Sequence, residues 1–185
     1  GSAASSCGIF VSSSQGKDEN PGTQDEPLRT LAAATAKGDT IYLCGEEFPD
    51  AVTLPSGTTV YGALDCKQGW RYDKEKRSTL SGLPNLITLT LQGDADLLDV
   101  DVSSGAATLA GTSSIAVLAR GGTVHLTRSD IAAGPGKRGA DGASADSTPP
   151  PTAPGGKIGG DACDDPADVP GGEQVDNECG GGDIS

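Results

Sequence analysis

The residues best placed to do chemistry are Asp99, Asp101, Arg128 and Asp130, because an internal repeat sets them side by side. Ile-Thr-Leu-Thr-Leu-Gln-Gly, from Ile87 to Gly93, matches Ile-Ala-Val-Leu-Ala-Arg-Gly, from Ile115 to Gly121, at an offset of 28. After one inserted glycine, Gly122, the run Ala95–Gly105 matches Val124–Gly134 at an offset of 29. That register places Asp99 beside Arg128 and Asp101 beside Asp130. Read as one strand over 96–102, the segment turns Asp99 and Asp101 onto one face, with Val100 and Val102 opposite. Stacked carboxylates with an arginine nearby suit a calcium-assisted polysaccharide lyase, in which the metal acidifies a proton and a basic side chain removes it. The plainer reading is a solvated outer face carrying one ion pair between neighbouring strands. Such a pair contributes little, and this reading carries more weight.

Other candidates are weaker. His125 is the only histidine and has no Ser or Cys partner near it in sequence, so a nucleophilic triad has no support. The Asp164-Asp165 pair is the residue type used by glycoside hydrolases, but adjacent residues on a strand point apart. Trp70 and Tyr72 lie in a charged loop over 67–78. They are candidates for stacking on a sugar ring, although an aromatic in such a place more often plugs a corner.

The elements that must position these groups read as β-rich. Each repeat copy is a short strand, a glycine corner, a second strand and a small-residue turn, which is one rung of a solenoid. Strands are predicted at about 9–12, 40–44, 52–54, 58–61, 86–91, 96–102, 114–119 and 123–131. Pro27 opens a predicted helix over about 28–37, in which Leu28, Leu31, Ala32 and Thr35 recur at helical spacing, ending at Lys37-Gly38. Laid across the first rung, it would cover an open edge and bore. The expected fold is therefore all-β: a parallel β-solenoid of about four coils over 9–134, with a short N-terminal capping helix. A flexible lead over 1–8 and an irregular Gly/Pro/Asp-rich segment over 135–185 flank it.

Composition is consistent with a small-bore interior. Only 3% of the 185 residues are aromatic, and glycine numbers 28. Of the net charge of −13, the stretch from Asp141 to Ser185 carries −9, with ten acids against Lys157 alone. A nucleic-acid partner is not expected of so acidic a chain, because phosphate binding needs a basic surface. Such a stretch is usually a solvated tail, and its alternative is a calcium-binding module through Asp161, Asp164, Asp165 and Asp168. No other metal or cofactor is expected. No apolar run is long enough to span a bilayer. The chain opens on Gly1-Ser2 rather than methionine, which reads as a cloning remnant and leaves room for a targeting segment ahead of it.

Of five cysteines, Cys44 and Cys66 are about one rung apart, near the ends of two strand-like runs. Neighbouring strands lie about 4.8 Å apart, which brings the two into bridging range. Cys163–Cys179 would close a loop with no hydrophobic core of its own, leaving Cys7 free or paired elsewhere. Disulfides imply export, so a secreted or cell-surface protein is expected.

The block from Phe10 to Leu31, Phe-Val-Ser-Ser-Ser-Gln-Gly-Lys-Asp-Glu-Asn-Pro-Gly-Thr-Gln-Asp-Glu-Pro-Leu-Arg-Thr-Leu, resembles the opening motif of the pectate-lyase-like right-handed parallel β-helix proteins. Tyr42-Leu-Cys-Gly, Val60-Tyr-Gly-Ala-Leu-Asp-Cys and Gly69-Trp-Arg-Tyr-Asp are similar to a subgroup of cysteine-containing surface proteins of myxobacteria and their relatives. The resemblance covers about 9–142. It implies structural roles for Asp18, Asn20, Gly22, Thr23, Pro27 and Thr30: Asp18 and Asn20 bond loop amides, Gly22 supplies a positive φ and Pro27 presets the helix start. The family's enzymes carry their acids, bases and calcium ligands on later coils, which implies that this chain is the N-terminal part of something longer. The expected function is a non-catalytic structural, adhesive or glycan-contacting module. Its alternatives are a fragment of a polysaccharide-degrading, calcium-assisted lyase and the calcium-binding tail. Expected partners are a polysaccharide or another surface protein. The unpaired last rung predicts end-to-end self-association or continuation in a longer chain.

Overall fold

A computed structural model of the chain describes residues 8–142 and 155–158. The chain divides into two compact units, 1–140 and 141–185. Of the second unit only residues 141, 142 and 155–158 are described, and these are exposed and without regular secondary structure. Cys7, Asp161, Cys163, Asp164, Asp165, Asp168, Cys179 and Ile184 lie outside the described residues.

The first unit is built mostly of short strands, in three separate sheets. A six-stranded sheet contains β1 (Ile9–Val11), β2 (Thr40–Cys44), β5 (Thr58–Asp65), β9 (Ala95–Leu98) and β12 (Val124–Thr127) in that order, with β6 (Arg71–Tyr72) antiparallel to β5. A four-stranded sheet orders β3 (Glu47–Phe48), β7 (Ser78–Ser81), β10 (Val100–Ser103) and β13 (Ile131–Ala132). A three-stranded sheet orders β4 (Val52–Pro55), β8 (Leu89–Gln92) and β11 (Val117–Ala119). Every pair except β5–β6 is parallel.

The expectation of a single solenoid of about four coils under a helix spanning 28–37 is corrected on two counts. Strands assigned to one rung as a single extended run fall into different sheets, and the helix over this stretch is limited to α1 (Leu31–Thr35), five residues. The first correction has a local cause. Asp99 has φ +58° and Arg128 has φ +51°, so each runs in the left-handed region and bends the chain between two sheets. The segments predicted as continuous strands over 96–102 and 123–131 break at those bends.

The helix is short because its predicted first turn is used for extended pairing. Leu28 donates its amide to the Phe10 carbonyl and accepts from the Ser12 amide, both at 2.9 Å, beside a parallel bridge to Val11. The start falls to Thr30, whose hydroxyl accepts from the Ala33 amide at 3.2 Å. Pro27 therefore precedes the helix by four residues and does not set its start.

Alternation within strands builds the core. Val52, Leu54, Val60, Leu80, Leu89, Leu91, Leu97, Val100 and Val102 form one buried cluster with Leu28, Leu31 and Ala34. A second cluster joins Phe10, Cys44, Leu64 and Trp70. The pairing offsets are those of the repeat: Val117 opposes Leu89 at 28, and Val124 opposes Ala95 at 29. The extra residue, Gly122, sits at a corner with φ +74°, where a Cβ would lie 2.3 Å from the Gly93 carbonyl carbon.

Candidate functional site

The acidic and basic residues singled out by the repeat meet at the bend between the six-stranded and four-stranded sheets. Asp99 is 4% exposed. Its carboxylate accepts from Arg128 through Nε at 2.8 Å and Nη2 at 2.7 Å, and from the Tyr72 hydroxyl at 3.3 Å. Arg77 Nη1 stands 3.5 Å from the same carboxylate. Arg77 also forks onto Asp101, with Nε at 2.9 Å and Nη2 at 2.5 Å, and Nη2 reaches the Arg128 carbonyl at 2.5 Å. Asp101 additionally accepts from the Asp130 amide at 3.0 Å. The bend is possible because Gly62 lies beneath it: a Cβ there would be 2.3 Å from the Asp99 carbonyl oxygen.

These contacts set the charge states. The Arg128 hydrogen bonds hold the Asp99 carboxyl below the usual carboxylate range against the opposing effect of burial, and Arg77 does the same for Asp101. Asp99 and Asp101 hold Arg128 and Arg77 more firmly protonated than free arginine. A proton-abstracting base needs a neutral partner, and a calcium ligand needs carboxylate oxygens not already taken by guanidinium. Here both arginines keep their protons and both carboxylates are bidentate partners of arginine. The geometry also corrects the shared-face reading of Asp99 and Asp101, since Asp99 is the bend itself and Asp101 belongs to the next strand.

Arg77 and Tyr72 are the members that sequence reasoning missed in this role. Arg77 lies one residue before β7, and Ser78 opposes Val100, so it is the register neighbour of Asp99. The visible repeat ends before this stretch, which is why the offset did not lead to it.

The two aromatic candidates separate. Trp70 is 2% exposed, packs edge-on to Phe10 at 4.9 Å between centroids and donates Nε1 to the Gln24 carbonyl at 3.1 Å. Its reading as a ligand contact is corrected: it is a buried plug. Tyr72 is 46% exposed and belongs to the charged network. Tyr42 stacks on Phe10 and on Tyr61, with centroids 5.1 and 5.2 Å apart. Ring faces turned to one another are not open to a sugar.

The opening motif residues bond locally. Asp18 accepts from the Arg29 and Thr30 amides at 3.0 and 2.9 Å and from the Thr30 hydroxyl at 3.0 Å. Asn20 donates to the Pro27 carbonyl at 2.8 Å, the Thr23 hydroxyl accepts from the Glu26 amide at 3.1 Å, and Gly22 has φ +89°.

Cys44 and Cys66 are bonded to one another. With Glu46 they form the single group of three His, Cys, Asp or Glu ligand atoms within 4.8 Å among the described residues. Two of those donors are spent in the disulfide, so the group fits a metal only in the reduced protein. Burial alone would raise the Glu46 carboxyl, but hydrogen bonds from Ser14, Ser12 and Ser13 outweigh it and lower it.

Among the clefts that the described residues form, two hold candidate residues. One, of about 340 Å³, is lined by Thr58, Asp94, Asp96, Thr123 and His125, with His125 directly opposite Asp96. The other, of about 590 Å³, is lined by Ser13, Asp18, Arg29, Phe48 and Asp50 among others. In it burial, and then the charge of Asp18, raise the Asp50 carboxyl, partly opposed by Arg29. Among the described residues no helix is long and apolar enough to cross a membrane. No family model, curated protein or solved structure matches the chain.

Proposed function

We propose that the chain is a non-catalytic module of a secreted or cell-surface protein, acting in structural, adhesive or glycan-contacting roles. The observation that carries this reading is the pairing of Asp99 and Asp101 with Arg128 and Arg77, which occupies both carboxylates and both guanidiniums where the repeat gathers charge and leaves only the exposed Asp130 carboxylate outside the network. The Cys44–Cys66 bond supports an oxidising compartment. Hydroxyl and carboxylate groups around the His125 cleft suit the hydroxyls of a glycan, and another surface protein is the second class of partner. The likeness to pectate-lyase-like proteins rests on the opening motif and the segments from Tyr42, Val60 and Gly69, and is part of the same proposal.

The test is incubation with a panel of acidic polysaccharides, with and without calcium, followed by absorbance of unsaturated product. No product is expected. A calcium-dependent signal that disappears in Asp101→Ala would overturn the reading in favour of a lyase.

A further inference from the structure

The last described strands are also edge strands of all three sheets. β12 ends the six-stranded sheet, β13 the four-stranded and β11 the three-stranded, and no described strand follows any of them. An edge of this kind presents unpaired amides and carbonyls to any chain that can pair with them. At the other end of the six-stranded sheet, β1 is covered by the bridge from Val11 to Leu28.

The side chains along the late edge interrupt core columns. Leu97 is 1% exposed, whereas Leu126, which opposes it, is 45% exposed. Val102 is 2% exposed and its partner Ile131 is 44% exposed. Each apolar column therefore stops one member short of closure.

The charges interrupt a column too. Extending the strand registers aligns Arg77, just before β7, with the bends at Asp99 and Arg128, an alternation of plus, minus and plus with contacts of 3.5 Å and 2.7 Å. Arg128 ends it with a side chain 58% exposed. Over residues 106–140 there are four basic residues, Arg120, Arg128, Lys137 and Arg138, against Asp130 alone, a net charge of +3 in a chain whose total is −13. Two copies meeting through this edge would bring like charges together. An acidic chain would not.

We infer that the β12–β13 edge is a docking surface for an acidic polypeptide segment that pairs in parallel with both strands and bends at its acid, with the pattern apolar, any, acidic, any, any, apolar. The acid falls over Arg128 and the apolar residues over Leu126 and Ile131. Leu97-Leu-Asp-Val-Asp-Val already presents that pattern to the same residues from the buried side. Backbone pairing supplies affinity and the alternate side chains supply specificity, as in other strand additions. The inference rests on the reading of the chain as a non-catalytic interaction module, and names the partner's chemistry.

The probe is a synthetic peptide of residues 95–103 carrying Asp101→Thr, which removes the one acid that would face Asp130. Binding to the full chain, weakened by added salt, is expected. The same peptide with Asp99→Lys is expected to bind at least tenfold more weakly, and Arg128→Glu in the protein should reverse that preference. Because Arg128→Glu also breaks the Asp99 pair, Leu126→Lys, at an exposed end position, serves as the second variant and should weaken binding tenfold with an unchanged circular dichroism spectrum. Absence of binding, or equal binding of the acidic and Lys peptides, overturns the inference. So does light scattering that shows a dimer of the protein alone which the peptide dissociates, since the occupant is then a second copy. A failed peptide leaves the module reading standing, whereas product in the polysaccharide assay strikes that reading and not this edge.

Discussion

At the residue scale, Asp99 has two separable demands on it, a left-handed backbone and a carboxylate for Arg128 and Arg77. Asparagine meets the first and not the second, so Asp99→Asn is expected to cost about 1–3 kcal/mol in urea unfolding. Asp99→Val fails both and should cost at least ~1 kcal/mol more. Equal losses would mean that the bend itself is not strained for a branched residue. The pH dependence follows from the same contacts. Folded Asp99 and Asp101 release their protons below the ordinary value of about 3.9, so in the window beneath that value the unfolded chain binds more protons and stability climbs with pH. That contribution is complete above about pH 4 and is lost as acid carries the pH down through the folded values. Asp50 has the opposite sign. Its raised pKa makes ionisation at neutral pH unfavourable to folding, so Asp50→Asn should raise the melting temperature at pH 7 and not at pH 3.

Among the elements, the loop from Cys66 to Arg77 is held by a small cluster rather than by strand pairing alone. Trp70 fills a space between Phe10, Cys44 and Leu64, and the disulfide closes a loop with a sequence separation of 22. Trp70→Ala should cost about 3–5 kcal/mol in chemical denaturation. Loss of the disulfide in Cys44→Ser/Cys66→Ser should cost about 3 kcal/mol. Because the two sites pack together, the combined variant is expected to lose less than the sum. Strict additivity would show that the disulfide does not share its stabilisation with the aromatic plug.

For the molecule as a whole, stability should fall along the chain toward its open edge. β5 and β9 are paired on both sides, while β11, β12 and β13 are each paired on one. Hydrogen exchange should therefore be slowest at the amides of β5 and β9 and fastest among the strands in β12 and β13. Addition of the acidic peptide should slow exchange in β12 and β13 before any other strand. Uniform protection of all three late strands in the free protein would mean that the edge is already covered.

The sequence by itself carried the neighbour relations. Offsets of 28 and 29 in the text are the offsets of pairing, and they bring Asp99 to Arg128, because a parallel strand must keep its apolar column in line to stay buried. The separation of Cys44 and Cys66 by about one pass of the chain was legible for the same reason. Tertiary structure alone decided where the strands bend. A non-glycine residue with a positive φ leaves no mark in composition, and Asp99 adopts one only where Gly62 admits its carbonyl and two arginines hold its carboxylate. One extended run thus became strands of two sheets. The same applies to Trp70 and to the helix start. Whether a loop tryptophan faces solvent depends on a pocket assembled from Phe10, Cys44 and Leu64, and whether Leu28 is helical depends on the amides of β1 across the fold. Local pattern encodes which side chains need burial, but only long-range contacts determine what is available to bury them.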